Sequence, residues 1–349
     1  MKKGLSVVLR ATLAGVLLNG AALAETTKTS NYAEHPEAGA VIEALGERGF
    51  DKDRVRSLLA DAKRQDSILE AIARPAEKSL TWAEYSRIFL TDSRVEQGVR
   101  FAREHADTLT RAEQKYDVPR EIILAIIGVE TSYGRNKGSY RVLDALATLG
   151  FDYPPRASFF RKQLVALFEM ERDAHIDAST ITGSYAGAMG FPQFIPTSYQ
   201  AYAVDFDGDD VIDLVNSPAD AIGSVASYFA AHKWQPGLPV AARARVDGDD
   251  YDALVKKGYK PGFTLAQARK NGVVAVSCEG DSLSSDYCFD LPAETSVAML
   301  DLIGDDGHEF WLVSDNFYVI TRYNHSELYA MAVLQLSHRI ADALEAQSL

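Results

Sequence analysis

The stretch IILAIIGVETSYGRNKG, residues 122–138, carries the residue on which the interpretation of this chain depends. Seven of the eight residues before Glu130 are apolar, which predicts a buried helix with a carboxyl close to its end. Counting back from Glu130 by three, four and seven places Ile127, Ile126 and Ile123 on the helix face of that carboxyl. The sequence therefore sets an acidic group among isoleucines.

Two interpretations of Glu130 follow from this setting. Burial among apolar side chains raises the pKa of a carboxyl, and a position near the C-terminus of a helix acts in the same direction. A glutamic acid that stays protonated near neutral pH is what a general acid needs. The alternative is an ion pair with Arg135 or Lys137, which composition alone slightly favours because perturbed carboxylates also occur in structural networks.

The bulk composition bounds the class of protein. The 349 residues suffice for two or three packed domains, and a hydrophobic fraction of 47% with a charged fraction of 24% is ordinary for a globular protein. The formal net charge of −13 argues against nucleic acid and against anionic membranes as partners.

The first 24 residues have the pattern of a secretory signal peptide. Lys2 and Lys3 give a basic start, ATLAGVLL is a short apolar run, and we expect cleavage after Ala24. Cleavage removes three basic and no acidic residues, so the mature net charge is −13 − 3 = −16. The apolar run is shorter than the roughly 20 residues that span a bilayer, and no cysteine lies near the cleavage point. The sequence therefore predicts an exported chain without a membrane or lipid anchor.

Cys278 and Cys288 are the two cysteines of the chain. In an oxidising exported compartment their spacing favours a local disulfide, with two free thiols as the alternative. The absence of a Cys-x-x-Cys motif or a histidine pair beside them argues against a metal site there.

The first half of the mature chain is predicted to be mostly helical. Residues 93–119, SRVEQGVRFAREHADTLTRAEQKYDVP, predict one amphipathic helix that begins with Ser93 and Glu96 at capping-box spacing and stops before Pro119. Asp117 is then expected to cap the helix that carries Glu130. Further helices are predicted at 139–149, 156–173 and 217–232. Between them, the three glycines and two prolines of GSYAGAMGFPQFIP exclude a regular helix.

The composition changes after Trp234. Residues 235–316 are rich in Gly, Asp and Pro and contain short strand-like runs such as VVAVSC and EFWLV, which predicts a small β-containing insertion. The final run, HSELYAMAVLQLSHRIADALEA, returns to a helical period.

The glycine-rich segment supplies polar groups that favour the interpretation of Glu130 as a general acid. Ser184 and Gln193 lie there, on a loop that also contains aromatic residues. Aromatic rings stack on the apolar faces of sugars. The candidates are Tyr133, Tyr153, Phe194, Tyr228 and Tyr323. Together with an acid, they indicate a carbohydrate-binding cleft.

Several long blocks then resemble one known family. They are IIGVETSYGR, LDALATLGFDYPPRA, GSYAGAMGFPQFIPTSYQAYAVDFDGDD, SPADAIGSVASYF and NFYVITRYNHS. The chain resembles the lytic murein transglycosylases of the membrane-bound B type, glycoside hydrolase family 103, from about Tyr32 to the C-terminus.

The resemblance implies a mainly helical α+β chain with a lysozyme-like catalytic core. It also implies cleavage between N-acetylmuramic acid and N-acetylglucosamine in peptidoglycan, with Glu130 as the single acid and base and a 1,6-anhydro product. Ordinary glycosidases use two carboxylates. The implied division is a signal peptide (1–24), an N-terminal helical region (25–116), the core with an acidic loop (117–234), the β-containing insertion (235–316), and a strand and helix that complete the core (317–349).

Substrate-binding residues follow by motif match. They are Ser184, Gln193, Phe194, Arg156, Tyr228, Tyr323, Asn324 and Tyr329. Two positions depart from the family pattern, because Pro155 replaces a second basic residue and Phe159 stands where a hydroxylated aromatic occurs. These departures concern the outer sugar contacts and leave the chemistry unchanged.

The segment DFDGDDVIDLVNSPAD places Asp205, Asp207 and Asp209 at alternate positions, as in the opening of an EF-hand calcium loop. Two residues depart from the standard pattern, since position six is Asp210 instead of Gly and position twelve is Asn216 instead of Glu. Aspartate tolerates a left-handed backbone better than most residues, so the first departure is compatible with the loop.

The resemblance extends to family members with a longer loop. Asp220 matches the acidic residue that closes that loop, Val211 would offer its backbone carbonyl, and Asp213 would contribute directly or through water. The alternative is a solvated acidic turn. We expect calcium or another hard cation in a structural role, and no cofactor for catalysis.

The sequence thus predicts a periplasmic, monomeric peptidoglycan lytic transglycosylase, with glycan strands as substrate and other cell-wall enzymes as candidate partners. A muramidase that hydrolyses the same bond with water is the first alternative. A non-catalytic glycan-binding protein is the second, although Glu130, Ser184 and Gln193 together argue against it.

Overall fold

The structure is a computed structural model that describes residues 31–73, 80–173, 176–278 and 287–347. The predicted signal peptide and its cleavage point after Ala24 lie outside the described residues. The described chain divides into two compact units. One unit takes residues 31–73 and 130–225, and the other takes residues 80–129 and 226–347.

The helices follow one another along the chain in short segments. They are α1 (Ala38–Gly46), α2 (Lys52–Asp61), α3 (Asp66–Ala73), α4 (Trp82–Phe89), α5 (Asp92–Glu104), α6 (Ala106–Tyr116), α7 (Arg120–Thr131), α8 (Val142–Asp152), α9 (Ala157–Asp173), α10 (Pro196–Tyr202), α11 (Pro218–Ala231), α12 (Asp252–Val255), α13 (Leu265–Lys270), α14 (Asp315–Tyr323) and α15 (Glu327–Ala346).

The strands are fewer and shorter. They are β1 (Tyr140–Arg141), β2 (Thr182–Gly183), β3 (Ala241–Val246), β4 (Phe263–Thr264), β5 (Val273–Ala275), β6 (Ser296–Gly304) and β7 (Gly307–Val313). The predicted mainly helical α+β class is confirmed. Among the described helices, none has the length and hydropathy of a membrane span.

In the unit of residues 31–73 and 130–225, α8 is the central helix. Residues Val142 to Phe151 are all buried, and α3 and α9 pack against it. Its first turn is fixed by Asp144, which accepts hydrogen bonds from the Lys63 backbone N–H (2.8 Å) and from the Arg141 guanidinium. The two-residue strands β1 and β2 pair antiparallel, which joins the chain ahead of α8 to the start of the glycine-rich loop.

The other unit contains an antiparallel sheet of order β4-β6-β7-β3-β5. Its core includes Phe263, Val297, Met299 and Leu312. The predicted strand-like runs thus contain β5 and most of β7, whereas the C-terminal helix α15 packs against α4 and α5. Cys278 and Cys288 form a disulfide with 5.0 Å between their Cα atoms.

Three local predictions are wrong. Residues 93–119 do not form one helix, because the backbone of His105 leaves the helical region (φ −122°, ψ 27°) between α5 and α6. The first of these helices is capped by Thr91, whose hydroxyl accepts the Arg94 N–H at 3.3 Å, and begins before Ser93. Asp117 ends α6 in a left-handed conformation (φ 54°) and does not cap α7.

The predicted C-terminal strand within residues 317–349 is also wrong. The β-branched run Val319–Thr321 lies within α14, which begins after Ser314. The Ser314 hydroxyl accepts the Asn316 N–H, so a capped helix start overrides the strand propensity of that run. The division of the chain into domains predicted from the sequence stays a prediction.

Candidate active site

Glu130 is the penultimate residue of α7 and is only 5% exposed. Ile123, Ile126 and Ile127, which the helical period places on its face, are fully buried. The structure therefore places this carboxyl at the end of a buried apolar helix, as the spacing predicts. An acid in such a setting is removed from most of the water that would otherwise stabilise its charge.

The chain turns sharply directly after Glu130. Ser132, Tyr133 and Gly134 have successive positive φ values of 49°, 58° and 84°. For a residue with a side chain this conformation costs about 1–2 kcal/mol. The turn is stabilised by Thr131, whose hydroxyl donates to the Phe191 carbonyl oxygen and accepts the Gly134 N–H, both at 3.0 Å. These bonds fix the end of α7 against the glycine-rich loop.

Ser184 follows β2 at the start of that loop and is buried. Its hydroxyl oxygen accepts the N–H groups of Ala186 (3.3 Å) and Ala188 (3.0 Å). Within the described part of the chain the hydroxyl donates to no acceptor. Ser184 can therefore offer its O–H to a ligand.

Gln193 occupies another left-handed position, with a φ of 51°. Its side-chain Nε2 donates to the carbonyl oxygens of Gly190 (2.9 Å) and Lys137 (3.1 Å). Its Oε1 is buried, and no described residue donates a hydrogen bond to it. A buried acceptor without a donor is costly, by about 1–3 kcal/mol, unless a ligand or water supplies one.

The contacts of Thr131 and Lys137 bring the end of α7 and the glycine-rich loop together in one unit. The sequence predicts Glu130, Ser184 and Gln193 as site residues, but it gives no role to Thr131 and predicts Lys137 only as an ion-pair partner of Glu130. The Lys137 Nζ instead donates to the Val215 carbonyl oxygen at 2.6 Å. The one signal in the sequence for a role of Thr131 and Lys137 is that both follow Glu130 closely in the chain.

Arg156 ends a short 3-10 helix, Pro154–Arg156, in the same unit. Its guanidinium lies over the Phe159 ring at 4.3 Å and the Phe160 ring at 5.3 Å, and burial lowers its pKa. Its Nη2 is buried and meets no acceptor within the described ranges, so it is suited to bind an anionic or carbonyl group. Phe194 is buried, and its assignment to substrate binding stays a prediction.

The remaining predicted cleft residues lie in the other unit. The Tyr228 hydroxyl donates to the Arg322 carbonyl oxygen at 2.7 Å, and its ring lies 4.7 Å from the Tyr323 ring. Asn324 is 1% exposed, and neither its Oδ1 nor its Nδ2 has a partner in the described structure. Tyr329 is fully buried on α15. The substrate contacts of these four residues stay predictions.

The acidic loop places three carboxylates close together. One oxygen each from Asp205, Asp207 and Asp209 lies within 4.8 Å of the others. Gly208 and Asp210 have positive φ values of 85° and 68°, so the aspartate at position six adopts the left-handed conformation that the loop requires. Converging carboxylate oxygens of this kind are the ligands that a hard cation such as calcium prefers.

Asp220 closes the loop from the first turn of α11. Its carboxylate accepts the N–H groups of Phe206 (2.7 Å) and Asp213 (2.8 Å), and burial raises its pKa. Asp213 accepts the N–H groups of Val215 (2.9 Å) and Asn216 (2.8 Å). The residues present fit a cation loop, and cation binding itself stays a proposal.

Comparison with known proteins identifies relatives over almost the whole described chain. The family model described as the transglycosylase SLT domain matches residues 33–338. The membrane-bound lytic murein transglycosylase B of Escherichia coli K12 is 40% identical over 321 residues, which cover 89% of this chain and 84% of that protein.

Two solved structures are similar in fold. The soluble lytic transglycosylase SltB1 from Pseudomonas aeruginosa has 47% identity and a TM-score of 0.81, with 88% of this chain and 99% of that chain covered. The Escherichia coli lytic transglycosylase Slt35 in complex with calcium has 39% identity and a TM-score of 0.77, with 91% and 96% covered.

Proposed function

Because the chain belongs to the transglycosylase SLT family and is a lytic murein transglycosylase, we propose that Glu130 is its single general acid and base. The observation that carries this assignment to a residue is the burial of Glu130 at the end of α7, beside the loop that holds Ser184 and Gln193. The lysozyme-like, mainly helical fold is the one that its relatives use.

The first step is cleavage of the glycosidic bond. Protonated Glu130 donates its proton to the bridging oxygen, and the bond between that oxygen and C1 of the N-acetylmuramic acid breaks. The N-acetylglucosamine leaves with a hydroxyl group. The positive charge at C1 is stabilised by the carbonyl oxygen of the substrate's own acetamido group, which replaces the second carboxylate of an ordinary glycosidase.

The second step closes the new ring. The Glu130 carboxylate removes the proton from the C6 hydroxyl of the same N-acetylmuramic acid, and O6 forms a bond to C1. One proton has left Glu130 and one has returned, so no water is consumed and the 1,6-anhydro sugar is one water lighter than a hydrolysis product.

Gln193 has the chemistry to orient the acetamido group. Its Oε1 lacks a donor within the described structure and can accept the acetamido N–H, whose opposite side then presents the carbonyl oxygen to C1. The Ser184 O–H can donate to a sugar oxygen beside it. Both interactions position the substrate for the charge that develops at C1.

The substrate is the glycan strand of peptidoglycan, and the site of action is the periplasm after signal peptide cleavage. A monomer acting on an insoluble polymer needs no partner for chemistry, and other cell-wall enzymes are candidate partners. The acidic loop binds a structural calcium or similar cation through Asp205, Asp207, Asp209, Asp220 and the Val211 carbonyl. The convergence of the three aspartates and the calcium complex of Slt35 support this assignment.

Two assays on purified sacculi test the proposal. Glu130→Gln is expected to slow solubilisation by about 10²–10⁴-fold, the usual contribution of a general acid–base group, while co-sedimentation with the sacculi is retained. Glu121→Gln, on the first turn of the same helix, is the matched control and is expected to stay active. Equal solubilisation by wild type and Glu130→Gln would remove Glu130 from the reaction. Binding without solubilisation by the wild type would favour the non-catalytic glycan-binding protein.

A further inference from the structure

The Gln193 side-chain amide is hydrogen-bonded to the backbone of Lys137. The Lys137 carbonyl oxygen accepts one of the two hydrogen bonds that the Gln193 amide donates, and the second goes to Gly190 in the loop of Gln193 itself. The bond to Lys137 is therefore the one that joins the Gln193 side chain to the segment following Glu130.

The Lys137 side chain makes two contacts of its own. Its ammonium group donates to the Val215 carbonyl oxygen at 2.6 Å and lies 4.7 Å from the centre of the Phe191 ring. Holding a lysine side chain in one rotamer costs conformational entropy. A charge-assisted hydrogen bond of good geometry offsets that cost. Lys137 thus contacts the glycine-rich loop through Phe191 and Gln193, and the acidic loop through Val215.

The bonds continue from Val215 into the acidic loop. The Val215 N–H donates to Asp213 at 2.9 Å, and the Asp213 N–H donates to Asp220 at 2.8 Å. A second connection runs beside the first, since the Phe191 N–H donates to the Leu214 carbonyl oxygen at 2.9 Å. A hydrogen-bonded path therefore joins a proposed cation ligand, Asp220, to the amide of Gln193.

We propose that Lys137 is a positioning residue that holds Gln193 in its left-handed turn and connects it to the acidic loop. The inference rests on the role proposed above for Gln193. Since Gln193 acts on a group whose charge grows as the bond breaks, loss of its position reduces turnover more than substrate binding. A cation in the acidic loop then orders Gln193 through Lys137.

The kinetic test compares Lys137→Met with two controls. Lys137→Met retains the length of the side chain but removes the ammonium group, Lys137→Arg retains a charged donor, and Arg135→Met removes a charge from an exposed side chain in the same turn. We expect Lys137→Met to lower kcat on solubilised glycan strands by about 10-fold or more with KM changed less than about threefold. Lys137→Arg should recover part of the loss, and Arg135→Met should match wild type.

A second readout follows the loop without reference to activity. Hydrogen exchange of the Gln193 side-chain amide, which the Phe191–Leu214 bond does not involve, is measured by NMR with calcium chloride and with a chelator, alongside the shift in Tm on calcium addition. Calcium should slow exchange in the wild type and in Arg135→Met. In Lys137→Met, calcium should still raise Tm but leave the exchange of this side-chain amide unchanged.

Several outcomes would overturn the inference. Wild-type kcat in Lys137→Met, a loss confined to KM, or a calcium effect on exchange that survives in this variant would each contradict the role of Lys137. An absent calcium effect on wild-type exchange would contradict the connection to the acidic loop. These results are distinguishable from failure of the proposed function, because in that case wild-type protein releases no anhydro products and Glu130→Gln solubilises sacculi like the wild type.

Discussion

At the scale of single residues, burial lowers the pKa of His232. Its ring stacks on Tyr228 with 4.0 Å between centroids, and its Nδ1 lies 2.7 Å from the Tyr228 carbonyl oxygen. Burial lowers the pKa of His232 below its ordinary 6.5, and the charge of Arg322 acts in the same direction. The folded protein therefore favours the neutral ring.

The sign of the pH effect follows from the lowered pKa. As the pH falls through 6.5, His232 binds a proton in the unfolded chain before it does so in the folded protein, so its contribution to stability is lost on acidification. We expect the difference in free energy of unfolding between wild type and His232→Gln to be larger at pH 7.5 than at pH 5.0. Urea denaturation at both pH values measures it, and a difference independent of pH would contradict the assignment.

A matched pair of glycines tests how the segment after Glu130 packs against β2 at Gly138. Gly138 and Gly49 both have positive φ, at 89° and 83°, but only at Gly138 would an added Cβ collide with backbone, that of Gly183. We expect Gly49→Ala to cost about 1–2 kcal/mol from the left-handed strain alone. Gly138→Ala should cost about 2–5 kcal/mol because the overlap is added. Equal free energies of unfolding for the two variants would contradict the prediction, because the backbone at Gly183 would then move away from the added Cβ at no cost.

The sequence predicts the environment of a single residue where that environment depends on its neighbours along the chain. The helical period alone places Glu130 among buried isoleucines, and the structure agrees. The left-handed backbone of Gln193 and the hydroxyl bonds of Thr131 depend on contacts between segments about 60 residues apart, such as Thr131 with Phe191. No spacing pattern reports such contacts.

At the scale of elements, the sequence predicts that helices exist better than where they end. The apolar period of residues 93–119 continues across His105, so it does not reveal that the backbone breaks there. Thr91 and Ser93 are both acceptable caps, and residue type alone does not distinguish them. Helices α9, α11 and α15 lie where the sequence predicts them, because proline or a cap bounds each one. The helix predicted at 139–149 instead runs as α8 from Val142 to Asp152, because Tyr140 and Arg141 pair with β2 as strand β1.

The contribution of the disulfide to the free energy of unfolding can also be measured. Cys278 and Cys288 are ten residues apart, and closing a loop of that length stabilises a folded chain by about 2.7 kcal/mol in the chain-entropy model. We expect a reducing agent to lower the midpoint of urea denaturation of the wild type. The double variant Cys278→Ser, Cys288→Ser should already have the lower midpoint and should not respond to the reductant. A wild-type midpoint unchanged on verified reduction would contradict the prediction.

At the scale of the whole molecule, the two units are each built from segments that are distant in the sequence. Composition changes along the chain cannot reveal such an arrangement, because the boundaries at residues 129–130 and 225–226 fall inside the helices α7 and α11. The mainly helical class and the sheet at residues 241–313 were predictable, since they follow from local periods and turn residues.

The net charge is also a property of the whole chain. The value of −13 includes the three basic residues that precede the predicted cleavage point. A strongly acidic surface repels nucleic acid and anionic lipid, so the charge predicts neither as a partner.

In the proposed reaction, Glu130 removes the proton from the C6 hydroxyl, and O6 then bonds to C1 in place of water. The most direct measurement is mass spectrometry of the muropeptides released from purified sacculi in water enriched in oxygen-18, with Glu130→Gln as the control. We predict products one water lighter than reducing-end muropeptides, without oxygen-18 in the muramic acid, and none from Glu130→Gln. Reducing-end products that carry oxygen-18 would contradict the claim and identify a muramidase.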